Sequence, residues 1–186
     1  MSEARATLDA RRYRDTIGLF STGVAVIVGR AGEAVFAMTA NAVSSVSLDP
    51  MLVMFCPGKK SRLAQHLDEL SGFSINILRQ DQQALSSYFA GGWRERVAPP
   101  FRLVPSLHAP RLEGSLACIE CQPWKVLEVG DHWMVLGQVL ALHTGVRPHQ
   151  PLVFVAGRYR QVHMSESTPA PDLSDVRDEP AHIYYE

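Results

Sequence analysis

From Val24 to Val155 the apolar residues come in short runs, each stopped by glycine, proline or a polar turn. Runs of that length, rich in Val, Ile and Phe, predict strands rather than helices, which need longer amphipathic stretches. Residues 24–28 and 34–38 lie either side of Gly29 and Gly32 and read as a hairpin. Residues 51–56 form a continuous apolar run ending at Pro57-Gly58, the pattern of a strand buried on both faces. In 73–77, Phe73, Ile75 and Ile77 alternate with Ser74 and Asn76, which predicts a half-buried strand. Two longer stretches, 115–129 and 133–143, flank Gly130-Asp131-His132 as a tight turn, and 152–155 is the last strand.

Helical spacing is confined to three places. Residues 8–20 bring Tyr13, Ile17 and Phe20 to one face among arginines, Ser61 can cap a helix carrying Leu63, Leu67 and Leu70, and Asp81 can cap a third through Phe89. Residues 91–110 are rich in Gly, Pro and Arg without periodicity and read as a surface excursion; its Trp93 suits either a lid or a dimer anchor. The expected fold is therefore mainly β with helical additions, an open or split β-barrel over residues 1–163. A polar, acidic tail follows at 164–186, a free tail or an arm over another subunit. Open barrel edges are naturally covered by a second copy, so a homodimer is expected.

Charge excludes some partners. Lys and Arg number 18 against 19 Asp and Glu, so there is no basic field to draw nucleic acid or anionic lipid. No apolar run approaches the ~18 residues of a spanning helix, and the N-terminus lacks a signal-peptide pattern, so a cytoplasmic protein without membrane attachment is expected. Three cysteines are too few for a disulfide framework. Cys118 and Cys121 have redox-motif spacing, but three positions apart on a strand they point to opposite faces, and no metal site is expected.

Two polar clusters could carry chemistry. Met38-Thr39-Ala40-Asn41 and the serines that follow put small hydroxyl and amide groups directly after a strand, which suits either a polar edge strand or a flat heteroaromatic or phosphate ligand. Pro57-Gly58-Lys59-Lys60-Ser61-Arg62 sets basic side chains before a predicted helix, which reads as a solvated turn or an anion site. Neither a Walker sequence nor GxGxxG is present.

These clusters, with Thr22-Gly23-Val24, Ser44-Ser45-Val46-Ser47-Leu48-Asp49-Pro50, Phe73-Ser74-Ile75-Asn76-Ile77-Leu78, Gly130-Asp131-His132, Gly137-Gln138-Val139 and Gly157-Arg158-Tyr159, make the chain resemble the flavin reductase-like family. That family comprises FMN-binding split barrels, among them the reductase components of two-component monooxygenases. The resemblance implies an NAD(P)H-dependent flavin reductase that binds FMN or FAD, takes NADH or NADPH as co-substrate and supplies reduced flavin to a partner monooxygenase. It implies that Thr39, Ala40, Asn41, Ser44, Ser45, Val46 and Ser47 meet the flavin ring and ribityl chain. Cys56, Gly58, Lys59, Lys60 and Ser61 would hold its phosphate. His132 would stand by the nicotinamide, with Arg158 and Tyr159 at the same mouth. Two other functions stay open: a flavoprotein that keeps its flavin and acts on a small organic substrate under the Trp93 loop, and a flavin-binding protein without turnover. Ala42-Val43 and the 91–96 segment depart from the family pattern.

Overall fold

The computed structural model describes residues 9–145 and 150–162. In chain order the elements are α1 (Ala10–Ile17), β1 (Thr22–Gly23), β2 (Ala25–Ala31), β3 (Ala34–Ala40), β4 (Val43–Leu48), β5 (Met51–Phe55), a 3₁₀ helix (Leu63–Glu69) and β6 (Leu70–Ile77). A 3₁₀ turn (Gln80–Gln82), α2 (Gln83–Phe89), β7 (Leu103–Val104), β8 (Arg111–Leu112), β9 (Ala117–Val129), β10 (His132–Thr144), β11 (Val153–Val155) and β12 (Arg158–Arg160) follow. Seven strands form one antiparallel sheet in the order β3-β2-β6-β9-β10-β5-β4, a three-stranded sheet runs β1-β11-β12, and β7 pairs with β8. The expected mainly β architecture is present.

The large sheet is curled. Ile27, Phe73, Ile75 and Cys121 from one side of it and Val53, Phe55 and Val135 from the other share one buried cluster, which Leu63 and Leu67 of the 3₁₀ helix cap. The Phe55 and Phe73 rings meet edge-on at 5.1 Å, a favoured aromatic geometry. The sheet's two edges are β3 and β4, sequence neighbours joined only through Asn41 and Ala42, so the split in the barrel lies at that junction. A second cluster on the outer face of β2, with Val24, Val26, Val28, Leu85, Leu112 and Leu152, is covered by α2 and the small sheet.

Several expectations change. Burial is exchanged between two strands: β6 is buried on both faces, whereas β5 alternates, with Met51 exposed and Val53 and Phe55 buried. The reason lies in residues 103–112, which cover the polar face of β6. Ser74 Oγ donates to the Pro110 carbonyl at 2.7 Å, and Asn76 donates to the Val26 carbonyl and accepts the Leu112 amide. Beside them Glu120 is buried and accepts from Ser106 Oγ, from His143 Nε2 at 2.5 Å and from the His108 amide at 3.4 Å.

The helix expected at 8–20 is shorter, Ala10–Ile17, capped by Asp9, and none of its residues is buried, Tyr13 and Ile17 included. Gly29 lies inside β2 rather than in the turn, which falls at Gly32. The helix expected from Ser61 is a 3₁₀ helix with a kink at His66, and Leu70 already belongs to β6. His132 opens β10 opposite Val129, so the turn is Gly130-Asp131 alone. β12, beyond the last expected strand, completes the small sheet. Residues 164–186 lie outside the described residues. Cys118 and Cys121 are free and buried, one beside Ser74 and the other in the barrel core, and burial pushes both thiols up to about 12.

Two consequences are measurable. A Cβ on Gly137 would stand 2.2 Å from the Phe73 ring, so Gly137→Ala should cost about 1–3 kcal/mol in denaturant unfolding. Burial pushes Glu120 up, but its hydrogen bonds from Ser106, His143 and the His108 amide outweigh this and hold it below the ordinary carboxylate range. A lowered folded pKa contributes stability above the unfolded value and loses it as pH falls through the folded one. Glu120→Gln should therefore destabilise the protein near neutral pH, and the gap from wild type should narrow in unfolding curves taken at progressively more acidic pH.

Candidate active site

The split between β3 and β4 lies beside the end of β5. Val43 pairs with Phe55, Ser44 with Met54 and Ser45 with Val53, and the Cys56 amide donates to the Ala42 carbonyl at 3.2 Å. β5 in turn pairs with β10, Phe55 facing Val135. The residues after β5 are thereby carried to the tip of the β9–β10 hairpin. There Trp133 N donates to the Pro57 carbonyl at 2.9 Å, Lys59 N donates to the Asp131 carbonyl at 3.1 Å, and Gly58 forms an isolated bridge with His132. Three stretches remote in sequence, 41–47, 56–61 and 131–133, thus meet along β4, β5 and β10.

Within this region the side chains differ in freedom. Asn41, just before β4, and Ser44, Ser45 and Val46 on it are exposed and Ser47 is half-exposed; among the described residues β4 is an edge strand with no strand paired to its outer side. The Ala40 side chain is buried in the barrel core. Thr39 Oγ1 is already donated to the Ser86 carbonyl at 2.7 Å. Lys60 is exposed, and no ion pair of its own is formed among the described residues. Lys59 is paired with Glu128. His132 Nδ1 donates to Asp131 Oδ1 at 2.8 Å, which holds the Asp131 carboxyl below its ordinary range. The imidazole, about half exposed at 49%, keeps Nε2 on the side of Gly58.

Two sequence expectations are corrected. The basic loop does not lead into an α-helix N-terminus: only a seven-residue 3₁₀ helix follows, and its Ala64 amide is taken by Ser61 Oγ at 3.2 Å. Side-chain charge, not a helix dipole, is what this loop offers an anion. Arg158 and Tyr159 do not join the hairpin tip. They belong to the small sheet, where Tyr159 OH bonds Ser86 Oγ at 2.8 Å and its ring packs on Phe154.

A cavity of about 320 Å³ opens beside Asn41 and is lined also by Phe20, Thr22, Val24, Val43 and Ile77. Thr22 Oγ1 is buried there without a hydrogen-bond partner among the described residues. An unpartnered hydroxyl beside an amide and apolar walls fits a flat ligand with a polar edge. Phe20 and Thr22 escape a residue-type reading because long-range backbone bonds place their segment: β1 pairs with β11, and the Leu78 amide donates to the Val24 carbonyl at 2.9 Å. Among the described residues no His, Cys, Asp and Glu cluster is placed to hold a metal.

The flavin reductase-like domain model matches residues 17–163. The chain belongs to the flavin reductase-like family. It is 32% identical over 173 residues to the reductase subunit HsaB of a flavin-dependent monooxygenase from Rhodococcus jostii, covering 93% of this chain and 88% of that one. FMN reductase (NADH) SmoA of Agrobacterium fabrum is 34% identical over 152 residues, covering 81% and 85%. Among solved structures, flavin reductase PheA2 superposes with a TM-score of 0.78 at 35% identity, over 84% of this chain and 100% of that one. The split-barrel class follows from these neighbours. No helix among the described residues is long and apolar enough to cross a membrane.

If Lys60 faces the ligand phosphate, Lys60→Glu should weaken FMN binding tenfold or more and leave riboflavin, which has no phosphate, nearly unaffected. Fluorescence titrations with both ligands check this, and equal losses would remove the assignment.

Proposed function

We propose that the flavin ring lies along the split between β3 and β4, with Asn41, Ser44, Ser45 and the backbone of 39–47 on its polar edge, its phosphate at 56–61 and the nicotinamide beside His132. The reaction is the NAD(P)H-dependent reduction of FMN or FAD, and the reduced flavin serves a partner monooxygenase; the relatives' names cover both flavins and that partnership. The observation that carries the placement is the convergence of Asn41, the 56–61 loop and His132 on one stretch of β4, β5 and β10.

When bound, the flavin supplies a ring that accepts hydride and the nicotinamide supplies the hydride. The chain's task is geometric and electrostatic. Asn41 offers an amide, and the serines offer hydroxyls without bulk, so a ring can approach closely and developing negative charge on it meets neutral donors. His132 is oriented by Asp131: with Nδ1–H donated to the carboxylate, the ring plane is fixed and Nε2 is left for the nucleotide. No strong acid or base is required, and the exposed His132 and Asp131 are suited to binding rather than to proton abstraction.

A homodimer fits the exposed apolar residues of the β4–β5 edge, where Leu48 is 90% and Met51 52% exposed. A second copy would bury both. Light scattering of the purified chain reads this directly.

Oxidation of NADH or NADPH at 340 nm with excess FMN or FAD tests the reaction. His132→Ala should raise the KM for the nicotinamide or slow reduction by an order of magnitude, with flavin affinity nearly unchanged. Wild-type turnover in that variant would return His132 to a structural role at the turn.

A further inference from the structure

Lys59 is tied to the hairpin tip at both ends of the residue. Its amide donates to the Asp131 carbonyl at 3.1 Å, its ammonium pairs with Glu128, and the same ammonium stands 5.5 Å from the centroid of the Trp133 ring. Glu128 faces Trp133 across the hairpin, so the carboxylate and the ring hold the ammonium between neighbouring strands. Lys60, the next residue, is exposed and takes part in no such pair among the described residues. Two adjacent lysines in one basic loop are thus used differently, one turned to the hairpin and one left to solvent.

We propose that Glu128 is a positioning residue that captures Lys59, clasps the His132 hairpin onto the 57–59 loop, and withholds the second ammonium from the flavin phosphate. The proposal rests on the reading of 56–61 as the phosphate loop. A ligand phosphate and the Glu128 carboxylate are alternative partners for one cation. The carboxylate is covalently part of the site, so its effective concentration exceeds that of a ligand at working levels, and Lys59 stays with it. The phosphate is then held by one ammonium fewer than the loop carries. At a given association rate, weaker holding means faster release, which suits a protein whose product must leave for another enzyme. The pair is solvent-accessible, with side-chain exposures of 32% for Lys59 and 64% for Glu128, so its loss leaves no buried charge behind and the fold should tolerate it.

Glu128→Gln keeps the shape and removes the charge. In fluorescence titrations it should bind FMN about two- to five-fold more tightly, the factor an exposed ion pair is worth. Riboflavin affinity should be unchanged, which also reports an intact fold. The KM for NADH should rise, because the hairpin carrying His132 has lost its clasp, while Glu128→Asp should restore both values towards wild type. Adding Lys59→Met to Glu128→Gln should abolish the gain for FMN. An unchanged or weaker FMN affinity in Glu128→Gln overturns the competition, and an unchanged KM overturns the clasp. Lys60→Glu measured alongside separates the layers. If it weakens FMN alone while Glu128→Gln changes nothing, the phosphate loop stands and this proposal falls; if it weakens FMN and riboflavin equally, the phosphate loop falls and the proposal with it.

Discussion

The two halves of the large sheet are joined by a division of labour within one hairpin. Residues 117–121 of β9 pair with β6, while 135–138 of β10 pair with β5. The register slips between Leu136 and Gly137 and again between Val139 and Ala141, at the height where pairing passes from one neighbour to the other. Bulges bend and twist a strand pair, and here the bend lets β5 and β4 swing round to face β2 and β3. Gly137 completes the arrangement, because the Phe73 ring fills the space where a Cβ would be. From that curl follow the shared core, the split between β3 and β4, and the arrival of the 56–61 loop at the hairpin tip.

A second constraint is polar. Ser74, Asn76 and Glu120 are fully or almost fully buried on the face of β6 and β9 that points away from the barrel core. Burying such groups is costly unless each finds a partner. The partners are backbone and side-chain groups of 103–112, together with His143. The excursion is therefore anchored by the sheet's own polar residues, and Arg111 adds its guanidinium 3.6 Å from Glu120. This also explains why a segment with so little regular structure can cover a strand.

Those anchors mark where the sequence was legible and where it was not. Strand positions followed from runs and turn residues, and period-two alternation correctly set Cys118 and Cys121 on opposite faces. Alternation fails where a polar residue is buried by a distant segment: Ser74 and Asn76 look like solvent positions until residues 103–112 are placed over them. β12, Arg158–Arg160, has no apolar run, so only its pairing with β11 reveals it. In the candidate site, Asn41, the serines, the basic loop and His132 were visible as residue types, but the pairing of β4, β5 and β10 that makes their segments neighbours was not. Charge partners were not visible. Nothing in the spacing of Lys59 and Glu128 tells that one lysine is engaged while its neighbour forms no ion pair among the described residues.

That difference bears on how such a site balances holding against release. The donors along β4 are neutral, short and exposed, and the cavity beside Asn41 is walled mainly by apolar groups. Neutral hydrogen bonds to solvent-facing groups contribute about 1 kcal/mol each, so in this reading most of the discrimination between phosphorylated and unphosphorylated flavin falls to the few charges of 56–62. With Lys59 bound to Glu128, and no helix dipole behind the loop, those charges reduce to the side chains of Lys60 and Arg62. In the proposed reading such a site would orient the ring well and grip the phosphate lightly, and the hairpin that carries His132 would also set the strength of that grip through Glu128.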